Sequence, residues 1–130
     1  MLGETVYEGK GKVVGMRVLK NGKMEYTMTM PCLVYGEEAL ATWSSESEMR
    51  PDGTSFMEFW GSYVMKDGTM GKYAGTGNFI NHTDGSSVGR GCVCYSNPPG
   101  KLAKLNGIAV VWEFKMDKDG NFHNKGWEWK

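Results

Sequence analysis

Met24-Glu25-Tyr26-Thr27-Met28-Thr29-Met30-Pro31-Cys32 alternates along its length: Met24, Tyr26, Met28, Met30 and Cys32 point one way, Glu25, Thr27 and Thr29 the other. Apolar residues at period two describe a half-buried β-strand, because successive side chains of a strand leave opposite faces. A helix would need period 3.6. Just before it stands Lys20-Asn21-Gly22-Lys23, and Asn-Gly is the preferred centre of a two-residue type I′ hairpin turn. The preceding stretch, Val6 to Leu19, is therefore the partner strand of a β-hairpin.

Working outward, the same punctuation recurs. A third strand runs from Ala39 to Met49 and ends at Arg50-Pro51-Asp52-Gly53, where Pro presets φ and Gly accepts a left-handed position. Ser55 to Met65 follows, then Lys66-Asp67-Gly68-Thr69, a second two-residue hairpin signal. Met70 to Asn81, Val88 to Ser96, Ile108 to Asp117 and Lys125 to Lys130 complete the series, separated by His82-Thr83-Asp84-Gly85, Asn97-Pro98-Pro99-Gly100 and Lys118-Asp119-Gly120-Asn121. Lys101 to Leu105 is the one helical turn, too short to stand alone. About eight strands at even spacing predict an all-β fold. Short connections build a meander, whose open edges disappear if the last strand pairs with the first. The expected architecture is a closed, antiparallel up-and-down barrel, with a sandwich as the alternative. No repeat or linker divides residues 1–130, which read as one domain.

Composition narrows the partners. The chain of 130 residues carries fifteen acidic and fifteen basic side chains, whereas nucleic acid and anionic membranes select clustered positive charge. Neither is expected as a partner. Nineteen glycines, without collagen period or low complexity, point to many turns and bends. Three cysteines, Cys32, Cys92 and Cys94, cannot all pair internally, and two cysteines two apart on one strand have poor disulfide geometry. The opening Met1-Leu2-Gly3-Glu4-Thr5 lacks the features of a signal peptide. No apolar run is long enough for a membrane span. A reducing cytoplasm is the expected location.

Two-residue loops also set a register. In the Asp67-Gly68 hairpin Tyr63 then faces Lys72 and Phe59 faces Thr76, while the other side pairs Trp60 with Gly75, Glu58 with Gly77 and Phe56 with Phe79. In the first hairpin Arg17 faces Tyr26, Gly15 faces Met28 and Gly11 faces Cys32. Both sides carry large apolar residues, which predicts that the outside is covered as well, most simply by further copies in a dimer or trimer.

No motif here demands a cofactor or metal. His82 and His123 fall in expected turns without nearby ligands, and the cysteines read as small buried hydrophobes in preference to a zinc site. Gly71 to Gly77 has the glycines of a phosphate loop but no helix after it to hold an anion. Ser44, Ser45 and Ser47 lack a partner base. Strand carboxylates and aromatics remain. Glu58, between Phe56 and Trp60, and Glu113, beside Trp112 and Phe114, are the candidate catalytic groups. A carboxylate inside an apolar barrel has a raised pKa suited to proton transfer. An outward or inter-subunit position for either is the competing reading. Phe56, Trp60, Tyr73, Arg17 and Tyr26 are the candidate ligand-binding residues, Arg17 as partner for an anionic end.

Gly75-Thr76-Gly77-Asn78-Phe79 after a hairpin, and Gly100-Lys101-Leu102-Ala103-Lys104-Leu105-Asn106-Gly107 before an apolar strand, give the second half of the chain a layout that resembles allene oxide cyclase and dirigent barrels. Gly9-Lys10-Gly11-Lys12-Val13 and Trp127-Glu128-Trp129-Lys130 make it similar also to small prokaryotic proteins without known activity. The first resemblance implies an eight-stranded, self-associating barrel whose interior holds an apolar molecule or steers a reactive intermediate. No catalytic residue of that family maps onto this chain. Lipocalin-like or avidin-like (calycin-like) barrels are the alternatives. The leading expectation is therefore a barrel that binds an apolar or amphipathic small molecule, without a cofactor. The alternatives are a cyclase or isomerase using Glu58 or Glu113, and a non-catalytic homo-oligomeric module.

Overall fold

A computed structural model describes all 130 residues. Eight strands form a single antiparallel sheet in chain order: β1 (Leu2–Val18), β2 (Met24–Val34), β3 (Glu37–Met49), β4 (Thr54–Met65), β5 (Met70–Asn81), β6 (Ser87–Ser96), β7 (Val110–Met116) and β8 (Asn121–Trp129). β8 pairs with β1, so the meander closes into a barrel. The one helical piece is a short 3-10 segment, Gly100–Leu105, between β6 and β7. No helix is long and apolar enough to cross a membrane.

The turns differ from the expected type by one residue, with consequences for every face they set. In the first hairpin the Leu19 N–H donates to the Lys23 carbonyl at 2.8 Å and the Gly22 N–H to the Leu19 carbonyl at 2.9 Å. The loop is thus three residues long, with Gly22 at φ +87° as the left-handed third member. Four other connections, at 50–54, 65–69, 82–86 and 117–121, repeat both hydrogen bonds. A three-residue loop with its third residue left-handed is the commonest hairpin connection after the two-residue turn. The Asn or Asp before the glycine favours it: Asn21, Asp52, Asp67 and Asp84 each accept a hydrogen bond from the backbone N–H two residues on. The two-residue turn occurs elsewhere, at Tyr35-Gly36, with both φ values positive.

One extra loop residue shifts the register by one, so that Tyr73, Gly75 and Gly77 share the face of Phe59 rather than that of Trp60. Around Asp67-Gly68 the observed pairs are Tyr63 with Gly71, Phe59 with Gly75, Met57 with Gly77 and Trp60 with Ala74. Met57, Phe59, Tyr63 and Met65 are buried in the barrel, and Phe56, Glu58, Trp60 and Val64 lie on its outer side. In the first hairpin Arg17 pairs with Glu25 and Met16 with Tyr26, and a bulge between Val13 and Gly15 shifts the ladder again, so that Gly9 meets Cys32.

Aromatic side chains fill the interior. Trp43, Phe59, Tyr63, Tyr73, Phe79, Tyr95, Trp112, Phe114 and Phe122 form a connected series of edge-on, tilted and stacked contacts with centroids 4.6–6.3 Å apart. The inward glycines give these rings room: Phe59 lies across Gly75 and Trp112 across Gly77, leaving no space for a Cβ at either. At the end holding the chain termini, the 3-10 segment inserts Leu102 and Leu105 as a plug. Its outer side is tied down by Lys101 to Glu37 at 2.7 Å and Lys104 to Glu4 at 3.6 Å.

Candidate functional site

The barrel encloses a void of about 50 Å³. A drug-sized site has roughly 300–1,000 Å³, so this space admits a few water molecules or one small group. Its lining is apolar and aromatic except for Asn124. Four tyrosines reach it, Tyr7, Tyr63, Tyr73 and Tyr95, together with Cys32 and Trp112. They arrive from β1, β4, β5, β6, β2 and β7, which is possible because alternate residues of each strand turn inward around a closed ring.

Hydrogen bonding in this lining is incomplete. The Tyr7 hydroxyl donates to Asn124 Oδ1 at 3.2 Å, and the Tyr73 hydroxyl reaches the Thr42 carbonyl at 3.5 Å. The Tyr63 hydroxyl and the Trp112 indole N–H are buried with no protein partner. Burial pushes the phenols of Tyr7, Tyr73 and Tyr95 above the usual tyrosine range, with mutual repulsion among potential anions adding to it. Burial also raises the Cys32 thiol to about 11. All four groups are protonated near neutral pH. The site offers hydrogen-bond donors and a thiol that is no nucleophile.

Of the residues expected at a ligand site, Tyr73 lines the void. Tyr26 sits half-buried on the inner face, nearer the opposite mouth, packed against the core. The expected inward placement of the others is corrected by the register. Phe56, Glu58 and Trp60 are on the outer surface, Trp60 47% exposed. Arg17 projects outward to Glu25 at 3.3 Å. Glu113 is outside too, where one carboxylate oxygen accepts from Arg90 Nε at 3.1 Å and Nη2 at 3.0 Å. Cys92 and Cys94, expected to be buried, are exposed, and Cys32 alone is buried. His123 lies on β8 rather than in a turn, its Nε2 2.8 Å from Glu8 Oε2. No group of three or more His, Cys, Asp or Glu residues is arranged to hold a metal ion.

The inward carboxylate is a different one. Glu128, 5% exposed, accepts a hydrogen bond from the Tyr35 hydroxyl at 2.9 Å and faces Lys130 Nζ at 3.7 Å, near the plugged end. It does not line the void. Its inward position follows the alternation of β8, in which Asn124, Gly126 and Glu128 are buried and Lys125, Trp127 and Trp129 face the other way.

No family model matches the chain, and no curated protein matches it in sequence. Among solved structures it is similar to the crystal structure of a conserved protein of unknown function, RPA1785 from Rhodopseudomonas palustris. That likeness covers 99% of this chain and 98% of the other, with a TM-score of 0.74 and 10% sequence identity. At that identity it speaks for the fold alone.

Proposed function

We propose that the protein is a small-molecule-binding barrel whose ligand is neutral and amphipathic, with an apolar body and a hydrogen-bond acceptor such as a carbonyl or ether oxygen. The unpartnered Tyr63 hydroxyl carries this reading. A buried donor left unpaired costs about 1–3 kcal/mol, and a ligand acceptor in the adjoining void would remove that cost for Tyr63 and for Trp112. No lysine, arginine or carboxylate lines the void, so a charged ligand would be buried without a counter-charge. The void's size limits a ligand bound without rearrangement to a few heavy atoms. A longer molecule enters by displacing Leu102 and Leu105, whose segment is held by turn hydrogen bonds and surface ion pairs rather than by a strand ladder.

Native mass spectrometry of protein purified from its own host tests this directly. One retained neutral small molecule per chain is expected, and Tyr63→Phe should bind it roughly 2–10-fold more weakly, the loss of one neutral hydrogen bond. Protein from that host without bound mass, and without a thermal shift on adding small carbonyl compounds, overturns the reading.

A further inference from the structure

Acidic side chains gather on one side of the barrel. β2, β3 and β4 carry six glutamates, Glu25, Glu37, Glu38, Glu46, Glu48 and Glu58, and no lysine or arginine. Three of these form a row across adjacent strands, with Glu25 directly opposite Glu46 and Glu46 directly opposite Glu58. Like charges directly opposed destabilise a sheet. Local relief is partial. Arg17 approaches Glu25 at 3.3 Å and the Asn21 amide donates to Glu46 at 3.3 Å, while the next strand offers Glu58 only Thr76.

Beyond β1 the charges are mixed: Glu8 lies 2.8 Å from His123 and Glu113 3.7 Å from Lys115, which leaves Lys10 and Lys12 as the cations without an acidic partner. Lys115 stands opposite His123, and His123 opposite Lys10, so β7, β8 and β1 present a three-strand row with a lysine at each end. Lys12 lies two residues along from Lys10, and all four side chains border an open surface groove of about 930 Å³. Both rows repeat at the inter-strand spacing of about 4.8 Å, so one can be laid on the other in step.

We propose that the protein associates with copies of itself head to tail, the Glu25–Glu46–Glu58 row of one molecule docking on the Lys115–His123–Lys10 row of the next. A formal net charge of zero leaves no long-range repulsion to oppose it. The two rows are different surfaces, centred three strands apart on an eight-stranded ring. The contact is heterologous and builds a ring or an open chain, not a twofold pair.

Sedimentation velocity at ionic strengths of about 0.01 M and about 1 M, where the Debye length falls from roughly 30 to 3 Å, reads the assembly. Species larger than the monomer are expected at low salt, with loss toward monomer at high salt. The double variants Glu46→Lys/Glu58→Lys and Lys10→Glu/Lys12→Glu, checked for native circular dichroism, should each be monomeric at low salt. Mixed in equal amounts they should assemble again, because each then offers what the other lacks. Wild-type protein that stays monomeric at low salt, a dimer indifferent to both charge reversals, or folded variants that fail to combine would each overturn the proposal.

Discussion

Tyr63 illustrates how one atom separates folding from function. Its ring is buried and edge-on to Tyr95 at 6.0 Å, so the ring contributes packing while the unpartnered hydroxyl subtracts from it. Tyr63→Phe keeps the ring and removes the penalty. The unliganded variant should be more stable by about 1 kcal/mol, within the usual range for a buried unpaired group. Urea unfolding measures it, and a loss of stability would show that the hydroxyl is already bonded. The cysteines make a second residue-scale contrast. Cys32 is buried with its thiol pKa raised to about 11, whereas Cys92 and Cys94 are exposed. Titration of native protein with a thiol reagent near pH 8 should modify Cys92 and Cys94 quickly and reach Cys32 only on unfolding. The sequence showed that Cys92 and Cys94 share a face, since they are two apart on a strand. Which face that was depended on register.

At the scale of elements, the five three-residue turns are the recurring local decision. Their carboxylates are shaped by it: the Thr54 hydroxyl and N–H lower Asp52, the Thr69 N–H lowers Asp67, and the Ser86 hydroxyl and N–H lower Asp84. A carboxylate held below its unfolded value stabilises the fold above that unfolded value and loses the contribution as pH falls through the folded one. Stability should therefore decline below about pH 4, the ordinary aspartate range. The combined Asp52→Asn, Asp67→Asn, Asp84→Asn variant should show a shallower decline, measured by denaturant unfolding between pH 2 and 5. These turns also explain the sequence-level misreading. Asp-Gly and Asn-Gly serve both two-residue and three-residue loops, and what separates them at Lys66-Asp67-Gly68 is not local: it is whether Gly75 and Gly77 lie opposite Phe59 and Met57 or opposite Trp60 and Glu58.

For the molecule as a whole, closure of β8 on β1 turns eight alternating segments into one interior. Aromatic rings then meet across the barrel, Phe59 with Trp112 at 5.8 Å and with Tyr73 at 6.3 Å. Phe59→Ala should cost about 3–5 kcal/mol, as large-to-small core changes do, and should enlarge the void beside Tyr73. Thermal or urea unfolding gives the cost. Outward Trp60→Ala in the same strand should fall well short of it. The strand count, the strand limits within a few residues and the meander were all legible from alternation and turn signals. The site was legible only in Tyr73 and the inner-face position of Tyr26, because Tyr7, Tyr63, Tyr95 and Asn124 come together from strands far apart in the chain.

Period-two alternation and evenly placed Asn-Gly and Asp-Gly turns determined by themselves that this chain is an antiparallel meander of about eight strands, since both signals are local, whereas the sandwich alternative fell only when β8 paired with β1. Which face became the interior was decided only in three dimensions. A strand slipped by one residue keeps its alternation but exchanges its sides, and the choice between them rests on whether rings such as Phe59 and Trp112 find glycine opposite them when the sheet closes.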